Sequence, residues 1–186
     1  MGCWPSAAPD KVEEVTLSFA AARCVAINGK PMSPLEVIRE ANIIGGRNGV
    51  GISHALENRI IGTKSRGVYE APGMEILGKS LEFLYQAILD RRAAALFWHL
   101  SALISNQIYD GRWFDPATVA ARLAIKELTK TATGKVKVGL YKGNIFFLAL
   151  TDVAKSLYNE ADSSMEASDG LNPVSSQGFA EIQAVE

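Results

Sequence analysis

The sequence predicts an α+β domain built from antiparallel hairpins and several amphipathic helices. Two observations carry that prediction. Alternating apolar residues recur near both ends of the chain around turn dipeptides, and the middle holds long runs with apolar residues three and four apart. Strands that cluster as hairpins on either side of the helices favour this class over a parallel βαβ sheet. At 186 residues, with 48% apolar and 21% charged residues, the chain fits one domain, and a domain of about 150 residues buries roughly 70% of its unfolded surface.

The elements follow in order. Residues 1–10, with Pro5 and Pro9, read as a linker or severed end. Val15, Leu17 and Phe19 alternate with polar residues, and Cys24–Ile27 return before Asn28–Gly29, which makes a hairpin. Ser33, Pro34 and Glu36 form an N-cap, first-turn proline and capping-box acid. They open a helix carrying Leu35, Ile38 and Ile43 until Gly45–Gly46 stops it. Gly49–Ala71 has no helical period and reads as two short strands broken by Gly62 and Gly67. Met74, Leu77, Leu81, Leu84 and Ile88 mark one face of a helix. Arg92–Tyr109 is apolar on more than one side, so it is expected to be buried on two faces and to offer a partner surface. Asp115 and Pro116 start a third long helix with Val119, Leu123 and Leu128 as its stripe. Val136, Val138 and Leu140, the Lys142–Gly143 turn and Ile145–Leu150 make a second hairpin. Asp162–Gln177 is rich in serine, acids, glycine and proline and reads as a loop before a short segment around Phe179. The organisation is therefore 1–10 linker, 11–160 main domain and 161–186 loop-rich tail.

Composition removes several classes of function. A net charge of -1 gives no electrostatic basis for nucleic-acid or anionic-membrane partners. No apolar run reaches the ~18 residues of a membrane span, and the N-terminus does not read as a signal peptide, so a cytoplasmic location is expected. Cys3 and Cys24 have neither a CxxC neighbour nor a nearby histidine. They read as two reduced structural thiols, with a single disulfide between them as the alternative, and no metal site is expected.

Chemistry concentrates in ENRIIGTKSRGVYEAPG, residues 57–73. Glu57 and Tyr69 stand twelve residues apart across the glycine-interrupted strands and could face one cleft. A carboxylate complements an ammonium through charge-assisted hydrogen bonds, and a phenol donates to a carboxylate or carbonyl without adding charge. The pair therefore suits an amino-acid ligand. Equally, Glu57 could form a structural ion pair with Arg59 or Arg66 while Tyr69 packs. Arg59, Lys64 and Arg66 form a supporting basic cluster, or a charged guard on a strand edge. The glycines from Gly45 to Gly51 lack the strand-loop-helix order and the lysine of a phosphate loop. His99 reads as a semi-buried imidazole, and Trp98, Trp113 and Phe114 as core or interface residues.

Together with IGGRNGVG at 44–51, this stretch strongly resembles the C-terminal synthetase domain of the argininosuccinate synthase family. APDKVEEVTLSF, AINGKPMSPLEVIREANIIGGRNG, YDGRWFDP, GKVKVGLYKGN and SLYNE follow in family order. The resemblance implies a domain of that fold and part of an ATP-dependent ligase that condenses citrulline with aspartate. It makes Glu57 the partner of the citrulline α-amino group and Tyr69 a second contact, with no catalytic residue on this chain. ATP and Mg would be bound by the family's N-terminal nucleotide-binding domain, whose SGGLDTS loop does not occur in these 186 residues. The expected partners are therefore citrulline, that N-terminal domain and further copies of the chain, since the family forms tetramers through a C-terminal helix that looks cut short here. Alone, the chain is expected not to turn over, and to self-associate through an apolar surface at 96–108. The alternative is a non-catalytic interaction or regulatory module derived from the domain. His54 stands where the family commonly has aspartate, which places any ion pair of that aspartate in doubt. The helix at 87–106 is less charged than the family's.

Overall fold

A computed structural model describes residues 2–159 and 173–185. They divide into two units, residues 1–155 and 156–186. In the first unit, β1 (Glu13–Ala20), β2 (Arg23–Ile27), β3 (Lys30–Pro31), β6 (Gly134–Tyr141) and β7 (Asn144–Thr151) form one sheet in the order β3-β2-β1-β6-β7. All its pairings are antiparallel. The two terminal hairpins thus join through β1 and β6, with Val15 opposite Val138 and Leu17 opposite Val136. Period-two alternation turns these side chains to one face and Glu14, Thr16 and Lys137 to the other, where Lys137 pairs with Glu14.

Helices α1 (Pro34–Arg47) and α2 (Pro72–Ile88) cover the apolar face, so that Val37, Ala41 and Ile44 meet Ile76, Leu84 and the valines of β1 and β6 in one core. Ser33 caps α1 as its sequence predicts: its Oγ accepts from the Glu36 amide, and Glu36 Oε2 accepts from the Ser33 amide at 2.8 Å. The apolar stripe differs from the expected one. Leu35, Ile38, Ile43 and Met74 are exposed, while Val37, Ala41, Ile44 and Ile76 face the core. Nor do Gly45–Gly46 stop α1. A Cβ at Gly45 would lie 2.8 Å from Pro72, so the glycine sets how closely the two helices approach.

Residues 2–10 pack on the first unit. A short 3-10 turn, Pro5–Ala7, follows a hydrogen bond from the Cys3 amide to the Gly46 carbonyl, and Ala8 is buried. Cys3 and Cys24 are both free thiols. Helix α3 (Arg91–Tyr109) fully buries none of its side chains and half-buries only one face, through Phe97, Leu100, Ser101 and Ile104, contrary to the expectation of two buried faces. It packs along α4 (Pro116–Leu128), whose expected stripe at Val119 and Leu123 is likewise exposed. His99 is exposed, as are Trp98, Trp113 and Phe114. Asp115 makes no cap hydrogen bond and instead lies 3.9 Å from Arg112. The strand expected at 145–150 is present as β7, but at the sheet edge, with Phe146, Phe147 and Leu148 partly exposed. In the second unit, α5 (Pro173–Gln183) replaces the end of the expected loop, because Pro173 starts a helix rather than prolonging a turn. The rest of that loop lies outside the described residues.

Candidate functional site

The remaining strands, β4 (Ile52–Asn58) and β5 (Lys64–Glu70), form a separate two-stranded hairpin. Its root is fixed from three sides. Asn48 is buried and donates to Glu13 at 2.7 Å and to the Ile44 carbonyl at 2.9 Å, closing the end of α1. Arg47 pairs with Glu13 and holds that carboxyl below the usual carboxylate range. The Ala71 amide bonds the Gly51 carbonyl at 2.9 Å, leading straight into α2. The hairpin then projects from this base. Gly62 turns the chain at its tip, whereas Gly67 sits within β5 and does not interrupt it.

The register places Glu57 opposite Ser65, Ala55 opposite Gly67 and Ser53 opposite Tyr69. All six share one face because they differ by even steps or are paired directly. Along the strands Glu57 and Tyr69 are two pairs apart, yet their side chains meet: the Tyr69 hydroxyl donates to Glu57 Oε2 at 2.5 Å. Gly67 makes this possible. A Cβ there would lie 2.6 Å from the Tyr69 ring, so the ring lies over bare backbone on its way to the carboxylate. Glu57 Oε1 has only long contacts, to Ser65 Oγ at 3.5 Å and Arg59 at 3.4 Å. It is the oxygen open to a stronger donor.

Elements of both sequence readings are present at Glu57. Tyr69 is 46% exposed and does not pack in the core. Arg59 does pair with Glu57, but its side chain is half exposed, and such pairs contribute about 0–1 kcal/mol. The basic cluster does not assemble. Lys64 and Arg66 lie on the opposite, exposed face with His54, Leu56 and Val68, and Arg66 stands 3.5 Å from His54 Nδ1. Only Arg59 stays with Glu57, because odd steps along β5 reverse the other two. Sequence reasoning missed Ser65, Gly67 and Tyr109, whose hydroxyl bonds the Asn58 carbonyl at 2.6 Å. Period two from Tyr69 would have found Gly67; no local pattern announces Tyr109.

The hydrogen bond to Glu57 raises the Tyr69 phenol above its ordinary 10.0, since ionisation would remove the donor and set two anions side by side. A group raised in this way contributes fully below its ordinary value, and the contribution disappears as pH climbs through the raised one. In Glu57→Gln, spectrophotometric titration is expected to show the Tyr69 transition moved down toward the ordinary phenol range.

Sequence comparison supplies what geometry does not. Residues 3–186 match the Arginosuccinate synthase C-terminal domain. The chain belongs to the argininosuccinate synthase family. It is 39% identical over 185 residues to the argininosuccinate synthase of Rhodopirellula baltica, covering 100% of this chain and 46% of that protein. It is 37% identical to that of Lachnoclostridium phytofermentans over 98% of this chain and 44% of the relative. The chloroplastic argininosuccinate synthase of Arabidopsis thaliana is 36% identical, over 96% of this chain and 36% of its own length. The chain thus spans less than half the length of these argininosuccinate synthases. Among the described residues, no group of three or more His, Cys, Asp or Glu could hold a metal ion, and no helix is long and apolar enough to cross a membrane.

Proposed function

We propose that this chain supplies part of the citrulline site of an argininosuccinate synthase, the ATP-dependent ligase that condenses citrulline with aspartate. The observation that supports it best is the Glu57–Tyr69 pair, held on one face of a projecting hairpin with one carboxylate oxygen left for a stronger donor. An α-ammonium is such a donor. It would bond Oε1 at the expense of the weak Arg59 contact, while Tyr69 keeps the other oxygen oriented. Gripping the amino-acid end leaves the ureido oxygen to be presented to the α-phosphate of ATP. The work of this chain is orientation rather than proton transfer. ATP, Mg and most aspartate contacts are assigned to the family's nucleotide-binding half, and no step through them is derived from these residues. Retention of the acid, the phenol and the glycine beneath its ring favours an enzyme part over a non-catalytic module, since a module released from ligand binding has no physical need for all three.

The test is complementation. Mixed with the remaining half of the Rhodopirellula baltica enzyme, the chain is expected to restore release of AMP and argininosuccinate from citrulline, aspartate and ATP, and to be silent alone. Silence of the mixture, under conditions where the two halves associate, would favour the module.

A further inference from the structure

Tyr109 ends α3, and its hydroxyl donates to the carbonyl of Asn58, the residue directly after Glu57 and the last of β4. The bond links parts of the chain 51 positions apart. Among the described residues the hairpin has no strand partner outside itself, and Ile60 and Ile61 at its tip are exposed. Such a ribbon is marginal in water unless something braces it, whereas a ligand-gripping carboxylate must be held to within about 0.5 Å. α3 has no fully buried side chain; it packs along α4 and touches α2 through half-buried Phe97 and Tyr85, whose ring centroids are 4.8 Å apart. Its terminal tyrosine is thus spent on the hairpin and not on the core.

We infer that Tyr109 is a positioning residue of the citrulline site, fixing the end of β4 so that Glu57 meets the amino end of the ligand; the inference rests on the citrulline reading proposed above. The hydroxyl bonds the Asn58 backbone and acts on Glu57 through it. Tyr109→Phe removes that one donor and keeps the ring, so the fold should survive intact.

Two readouts in the full chain test it. Hydrogen exchange follows the Arg59 and Gly62 amides, which close the hairpin turn by bonding the Thr63 and Arg59 carbonyls. Strand β6 amides serve as the internal reference. Loss of one neutral hydrogen bond should speed exchange at the turn roughly two- to tenfold and leave the reference unchanged. In the complemented enzyme the KM for citrulline should rise by a similar factor, with kcat and the KM for ATP unchanged. Unaltered turn exchange, or faster exchange with an unaltered citrulline KM, overturns the inference. If wild-type chain gives no citrulline turnover with its complement, the reading beneath fails, and Tyr109's role toward that ligand goes with it. The exchange data alone decide whether the hydroxyl braces β4.

Discussion

Glu57→Gln is expected to raise the KM for citrulline about 10- to 100-fold in the complemented enzyme, with the KM for ATP unchanged. Glutamine keeps the length of the side chain and an oxygen that Tyr69 can reach, but it removes the charge. Hydrogen bonds to charged groups contribute about 1.5–3 kcal/mol, against about 0.5–1.5 for neutral ones, and each ~1.4 kcal/mol is tenfold in affinity. On the proposed reading the acid would hold the end of citrulline remote from the reacting oxygen, so the loss should fall mainly on KM, with a smaller effect on kcat through looser orientation. Steady-state kinetics with citrulline varied at saturating ATP and aspartate checks this. A fall in kcat alone would mean that Glu57 acts at the reacting centre instead.

The second large effect is on stability. Gly51→Ala should lower stability by about 3 kcal/mol, which for a chain of this length is roughly 6–12 °C in Tm. Two costs combine at this residue. Its φ is +83°, a conformation that costs an L-residue about 1–2 kcal/mol. A Cβ would also lie 2.5 Å from Pro72 Cα, and overpacking of that kind costs about 1–3 kcal/mol. The atom in the way is backbone at the first turn of α2, which cannot rotate aside. Gly67→Ala makes the contrast: its added methyl meets the movable ring of Tyr69, so that change should disturb the Glu57 pair and spare the melting temperature. Calorimetry of both variants separates the glycine that holds the hairpin's root from the glycine that shapes its face.

The hairpins and helix starts were legible because they rest on local rules. Alternation in β1 and β6 mapped directly onto a one-sided core, and the Ser33–Glu36 box formed as written. Which helix face turned inward was not legible. In α1 the core takes Val37, Ala41 and Ile44 while Leu35, Ile38 and Ile43, of equal or greater bulk, stay outside. The close approach to α2 at Gly45, where a Cβ would lie 2.8 Å from Pro72, turns the Ala41–Gly45 side inward, and a hydropathy count cannot register that choice. The same exposed bulk on α3 and α4 misled the expectation of a doubly buried helix. At the site, the twelve-residue separation of Glu57 and Tyr69 across glycine-interrupted strands was enough to suggest a common cleft. Parity around the Gly62 turn removes Lys64 and Arg66 from the face that Glu57 and Tyr69 share, a consequence that becomes visible only when the register is known. Tyr109 could not be found at all from sequence, since its partner is a backbone carbonyl brought near by the folding of a different element.

The most direct test of the central claim uses isotope-labelled chain and two ligands. Citrulline should shift the resonances of Gly67, Tyr69 and the Glu57 carboxylate, whereas Nα-acetylcitrulline, which keeps the ureido group but offers no ammonium, should leave all three in place. Equal shifts with both compounds, or shifts confined to residues away from the hairpin, would contradict the assignment of Glu57 and Tyr69 to the amino end of the ligand.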